Sequence, residues 1–348
     1  MKKGSEPKFI NTDNSVIVFS SFRVPFDMPK SGGEERKKLK KDLRSAIQNM
    51  QPRENGILQA RYGTTEKKSF YDVENVLFYN IGTFCFKRLA KHGVEFSTVE
   101  EKEIVDLRQE YGIPDEYTHY YEYQIKENEK PKKFNGLIAE WENIHLKCLG
   151  VKPEKVWKTI KLGESNIQMY NEIDCGFGDT FALVLDIETP KNTRFNIMTA
   201  MKPLLDGLIC AFHSSQFNVE ELKYFSQKLN CDKLLFNQDT INVLGEREGK
   251  YIQEYRNNVK WNPADDKCNY VYISVKEGEK WSVNGKIYST VKCPNCGKGN
   301  LSKLLWGMPV YSEELQRDID SGKIRLAGCC IIDDNPIRYY CRWCKNEF

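Results

Sequence analysis

Two short cysteine repeats, "CPNC" at 293–296 and "CRWC" at 341–344, restrict the fold of this chain more than any other feature. Two residues between cysteines place both thiolates on one tight turn, facing a single point. Two such turns supply four thiolates. That closes a tetrahedral shell of the kind zinc prefers and leaves no position for water or substrate. Cys293, Cys296, Cys341 and Cys344 are therefore expected to hold a structural Zn2+ and to organise residues 289–348 as a small separate unit. Gly297 follows the first pair and lets backbone N–H groups turn toward the sulfurs. The insert between the pairs carries a helix signal, "SEELQRDIDSGK", and a strand signal, "IRLAGCCII". Cys329 and Cys330 are adjacent on that strand, so their side chains diverge and at most one can join the metal. Burial is the expected fate of both.

This spacing resembles the zinc-ribbon class of modules, which serve nucleic-acid and protein partners alike. Function then lies in what the ribbon's surface touches. Lys298, Arg338, Arg342 and Trp343 are the candidate nucleic-acid contacts, because cations interleaved with aromatic rings suit a single strand. Trp306 and Tyr340 are expected inside the ribbon's own core.

The rest of the chain alternates strand and helix signals, and does so twice. Strand patterns at 15–24, 56–62 and 117–126 enclose helices at 34–50 and 72–92, the first with Leu39, Leu43, Ile47 and Met50 on one stripe. A strand at 181–188, a helix at 197–213 and a strand at 269–276 repeat the order, with an inserted helix opened by the capping pair Asn218 and Glu221. The expected class is α/β (α+β), with two similar sheet-plus-helix halves at 1–150 and 151–288 ahead of the zinc ribbon. Local matches point to a duplication. "QIKENEK" (124–130) lies against "SVKEGEK" (274–280), and "SFYDVENVLFYNIGTF" against "TRFNIMTAMKPLLDGL", with Asp72 opposite Asn196.

The second match carries the candidate chemistry. In the first half a strand and basic loop lead to Asp72, Glu74 and Asn75 at a helix start; in the second, Lys202 and Asp206 lie within the helix. Together these segments resemble the RusA type of crossover-junction resolvase, in which a D-x-D-N helix start is followed by a lysine and an aspartate on that helix. The motif is split here. Phe78 and Gly82 stand where the first half would need the lysine and aspartate, and Asn196, Met198 and Thr199 replace the acidic start in the second. The resemblance implies a nucleic-acid-binding scaffold with a Mg2+ site left incomplete in each half. Asp186 and Glu188 share one face of a strand, and Asp186 is a further candidate ligand. The plain alternative is an N-cap at Asp72, a first-turn acid at Glu74 and a solvated strand end at Asp186.

Composition narrows the partners. A net charge of +3 over 348 residues gives no strong pull on nucleic acid by the whole molecule, so any such binding needs a local patch. No apolar stretch approaches the roughly 20 residues that span a bilayer, and "MKKGSEPKFINTDNS" lacks the apolar segment of a signal peptide. With scattered cysteines as well, a cytoplasmic, reducing setting is expected, with no membrane partner. Of four histidines none forms a ligand pair, and His145 is expected on an apolar helix. The function expected from these features is binding or processing of nucleic acid, as a metal-dependent nuclease if an enzyme. The alternative is a non-enzymatic adaptor that docks a protein partner.

Overall fold

The computed structural model describes residues 5–25, 33–66, 72–127, 130–134, 136–145, 152–170, 180–213, 215–236, 241, 243–244, 250–263, 267–297, 301–320, 322, 324–328 and 338–348. The first half runs β1 (Lys8–Asn11), β2 (Ser15–Ser20), α1 (Glu34–Asn49), β3 (Ile57–Thr64), a crossover segment, β4 (Gly93–Thr98), α2 (Glu101–Glu110) and β5 (His119–Lys126). In α1, Leu39, Leu43 and Ile47 recur every four residues and are buried, while Glu34 and Glu35 lie at the end where the helix dipole favours acids.

The second half runs β6 (Gly136–Ile144), α3 (Pro153–Leu162), β7 (Ile167–Met169), β8 (Phe181–Pro190), α4 (Ile197–Ala211) and α5 (Val219–Leu229). The hairpin β9 (Ile252–Tyr255) and β10 (Asn258–Trp261) follows, then β11 (Cys268–Gly278) and β12 (Ser282–Ser289). The capping box forms at α5: Asn218 accepts from the Glu221 N–H at 2.9 Å, and Glu221 accepts from the Asn218 N–H at 3.0 Å.

All strands of both halves except the β9–β10 hairpin join one ten-stranded sheet, ordered β1-β2-β5-β3-β4-β11-β8-β12-β6-β7. The order divides between β4 and β11, which pair antiparallel. On either side the arrangement is the same. β2-α1-β3-crossover-β4-β5 recurs as β6-α3-β8-α4-β11-β12, with β3–β4 and β8–β11 parallel and the flanking pairs antiparallel. Two of the local sequence matches therefore differ in standing. The stretch around Asp72 and the one around Asn196 both follow the third strand of their half. "QIKENEK" instead closes β5 and "SVKEGEK" closes β11, which are not counterparts.

The strand period of two sorts side chains onto two faces. Leu183, Leu185 and Ile187 of β8 and Val271 and Ile273 of β11 enter the main core, beneath α1, the crossover, α3 and α4. Ala182, Val184, Tyr270 and Tyr272 face the other way, against Phe134 and Tyr288. Trp157 of α3 anchors the outer layer, its ring 5.0 Å from Phe236 and 5.9 Å from Trp261. His145 follows β6 and not a helix: Ile138, Trp141 and Ile144 are buried in a strand whose irregular alternation reflects shifts in its register with β12.

The C-terminal unit is a three-stranded sheet, β14 (Ile324–Gly328), β13 (Leu301–Trp306) and β15 (Tyr339–Cys341), with α6 (Glu313–Asp320) between β13 and β14. β13 and β14 are parallel, so the insert is a small β-α-β unit placed between the two cysteine turns. Lys292 at its base pairs with Glu100, ahead of α2, at 2.6 Å. Among the described residues no helix is long and apolar enough to cross a membrane.

Candidate functional site

The segment after β3 is not the continuous α-helix its periodicity predicts. Asn75–Tyr79 forms a π-helical turn, closed by the Asn80 N–H donating to the Asn75 carbonyl at 2.8 Å, and a 3-10 turn follows at Thr83–Cys85. Single π-turns are frequent at functional sites. Here the turn buries Val76, Leu77 and Phe78 against the sheet and leaves Asp72 and Glu74 facing α4. The Asn75 side chain donates to the Asp72 carboxylate. The basic loop ahead of it, 67–71, lies outside the described residues.

On the facing element, Asn196 caps α4 by accepting from the Met198 N–H at 3.1 Å. One turn on, the Tyr79 hydroxyl accepts from the Lys202 N–H at 3.0 Å and donates to the Met198 carbonyl at 3.5 Å. These are the two groups that partner each other in an α-helix, and Pro203 follows at once. Tyr79 thus fastens the first-half crossover to the second-half helix. Burial, only partly offset by the Lys202 N–H and charge, pushes its hydroxyl up to about 12. The aromatic pattern around it reads as core and gives no hint of this contact.

The two incomplete motifs meet at this junction. Lys202 Nζ lies 3.1 Å from Glu74 Oε1, 3.3 Å from Asp206 Oδ1 and 3.5 Å from Asp72 Oδ2. The Glu74 side chain is 4% exposed and that of Lys202 30%, so the acids are the more deeply placed. Among the described residues, three carboxylates thus gather around one ammonium in a partly buried site. Asp72 Oδ1 is buried without a hydrogen-bond partner. Burial pushes the Asp206 carboxyl up to about 6 against the pull of Lys202, and Asp72 adds to the rise.

Asp186 does not join them. It alternates with Leu185 and Ile187, which face the helices, so its side chain projects from the opposite face of the sheet. There it accepts from the Ser274 hydroxyl. Glu188 on the same face pairs with Lys276 at 3.0 Å. The first half builds no matching pair of its own at the equivalent positions, where the counterparts of Lys202 and Asp206 are Phe78 and Gly82.

The four cysteines do converge. Their sulfurs all lie within 4.8 Å of one another, with Cys293–Cys344 at 3.4 Å and Cys296–Cys341 at 3.5 Å. A tetrahedral site with Zn–S bonds of about 2.3 Å requires sulfurs about 3.8 Å apart. The two turns are built alike. Gly297 and Lys345, each just after a pair, take left-handed φ values of 68° and 63°. Each donates its N–H to the carbonyl of the first cysteine at 2.8 Å. Hydrogen bonds from backbone groups, led by Cys344, hold the Cys341 thiol below its usual value. Among the described residues this is the one group of three or more ligand side chains close enough to hold a metal ion, and its donors are those of zinc.

On the ribbon surface Arg338, Arg342 and Trp343 are exposed; Lys298, Cys329 and Cys330 lie outside the described residues. Tyr339, buried against Phe348 with ring centres 5.8 Å apart, fills the core place expected of Tyr340. Strand alternation turns Tyr340 outward, where the Arg325 guanidinium stacks 3.7 Å from its ring centre. Trp306 is half-buried.

No protein-family model matches the chain, and no curated protein matches it. The similarity to RusA-type resolvases accordingly rests on the residues named above and on nothing at family level.

Two outcomes follow from this geometry. Cys341→Ser lowers zinc from one ion per chain toward none by atomic absorption and lowers the melting temperature of the ribbon; full zinc retention would contradict four-thiolate ligation. For Asp206, a native value of about 6 lies above the ordinary 3.8. Its contribution to stability is therefore full below about pH 3.8 and is lost as pH rises to about 6. Relative to wild type, Asp206→Asn should become steadily more stable between those limits in urea titrations, whereas a constant difference would contradict the buried position of the carboxyl.

Proposed function

We propose that the chain binds and processes nucleic acid, with Asp72, Glu74, Asn75, Lys202 and Asp206 as one catalytic centre shared between the halves and the zinc ribbon as an additional contact surface. One observation carries this. Two partial motifs about 130 residues apart, each lacking what the other has, come together within 3.5 Å of a single ammonium group. A fold that needed only a helix cap at Asp72 would have no use for three acids around Lys202.

The donor set suits a hard cation such as Mg2+, which takes carboxylate oxygens. The unpartnered Asp72 Oδ1 favours such an ion, and Asp72, Glu74 and Asp206 are the residues that would hold it, drawing closer around it than they stand about Lys202. Lys202 occupies the focus of the three acids, and its side chain is the most exposed of the four at 30%. When bound, the metal supplies Lewis-acid stabilisation of a phosphodiester and an activated water. The protein's own contribution is to fix the carboxylates through the Asn75–Asp72 bond and the Tyr79 link, and to place the Lys202 cation against phosphate charge.

The surface of the ribbon favours a second reading, docking of a protein. Met308 and Val310 are each 91% exposed, beside an exposed Tyr311, and exposed apolar clusters of this kind mark interaction sites. An adaptor needs the ribbon's structural zinc but neither the acids nor a metal bound to them.

Incubation of zinc-loaded protein with branched and single-stranded DNA separates the readings. The nuclease reading expects Mg2+-dependent cleavage that Glu74→Gln or Asp72→Asn reduces by about 100-fold or more. Cleavage that survives both substitutions would remove this centre, and absence of both cleavage and binding would leave the adaptor.

A further inference from the structure

We infer that a second, basic cleft on the helix-covered face binds the backbone and one unstacked base of a single nucleic-acid strand. The cleft holds about 500 Å3 and is lined by Phe84, Lys87, Arg88, Lys91, Phe195 and Asn196, with the start of α4. Three of the lining residues are cations and none is an acid. Lys87 and Lys91 are exposed and make no ion pair among the described residues. Arg88 is instead tied to the Gln48 and Met50 carbonyls, at 3.0 and 2.5 Å, which fixes one cation at the wall. Beside the cleft, burial first and the charge of Lys91 second hold His92 below its usual value.

An aromatic platform completes the site. The Phe84 ring is 61% exposed, with the Arg44 guanidinium 5.3 Å from its centre. An exposed ring backed by a cation, beside free lysines, is the combination that holds a strand by stacking and phosphate contact without regard to sequence. The positive end of the α4 dipole points the same way.

The position of the cleft follows from the repeated topology. The start of α4 is the counterpart of the Asp72 turn, so the same two elements make an acid centre on one side and a basic cleft on the other. α4 serves both. Ile197 borders the cleft and Lys202 reaches the acids, five residues or about 8 Å further along the axis. A strand seated in the cleft passes close to the acid centre. The inference rests on the nucleic-acid reading above but uses none of the proposed catalytic residues.

Fluorescence anisotropy with a labelled oligothymidylate and the zinc-loaded full chain tests it. The double variant Lys87→Glu, Lys91→Glu should weaken binding at least about tenfold. Its slope of log affinity against log salt should fall by about 1.4, two phosphate contacts at about 0.7 each. Phe84→Ala should weaken binding about fivefold or more with the slope unchanged. The remote pair Lys102→Glu, Lys223→Glu carries the same charge change and should leave affinity near wild type; thermal melts verify folding of each variant. If wild type binds and the two double variants behave alike, the cleft is overturned while the nucleic-acid reading stands. If wild type does not bind the strand, both fall. Competition by inorganic phosphate or AMP as effective as by the oligonucleotide would overturn the strand in favour of a small-anion site.

Discussion

The antiparallel pairing of β4 with β11 is the contact on which the candidate centre depends. It joins two five-stranded groups into one sheet and brings both crossover segments onto the same face, side by side. The seam tolerates little change at one position. Gly93, paired with Ser274, has a φ of 143°, and a Cβ there would lie 2.2 Å from the Ile273 carbonyl oxygen. Only glycine allows the two backbones to approach in that conformation. Without the seam, Asp72 and Lys202 would belong to separate sheets.

Around Lys202 the packing gathers acids that are partly out of water. Taking carboxylates out of water is costly unless each is paired and hydrogen-bonded, and three of them share Lys202 among the described residues. Asp206 shows the cost as an upward shift, and Asp72 as an oxygen left unpartnered. A proton on Asp206 or a cation against Asp72 Oδ1 would relieve that cost. The Tyr79 hydroxyl, set between the Met198 carbonyl and the Lys202 N–H, keeps the elements in place whichever is bound. On the far side the same elements present Lys87 and Lys91 with no acid opposing them, so the charge of the helix face is polarised across α4.

Strong local patterns were legible in the sequence. The α1 stripe, the α5 capping box and the cysteine turns each state their conformation within a few residues, and each forms as expected. Long-range consequences were less so. That Asp72 and Lys202 meet depends on strand order, which no local pattern encodes. Asp186 shows the converse: alternation along β8 was readable, yet which face met the helices was not. β4, β6 and β12 were missed because Gly93, Gly136 and Gly285 interrupt or open them and blur their period; Gly285 is needed where a Cβ would strike the Trp141 ring at 2.1 Å. The π-turn at Asn75–Tyr79 keeps an apolar pattern close to that of an α-helix, so the sequence predicted the helix but not its bend.

The four cysteines offer zinc a complete shell of their own, so metal binding elsewhere can be measured with zinc left in place. Isothermal titration of Mn2+, a stand-in for Mg2+, into the zinc-loaded full chain tests most directly whether the halves build one cation centre. One further ion per chain is the expected result, lost in Glu74→Gln and held more tightly in Lys202→Met, which removes the competing ammonium. Absence of Mn2+ binding in both wild type and Lys202→Met would contradict the account and leave the cluster as a structural clamp between the halves.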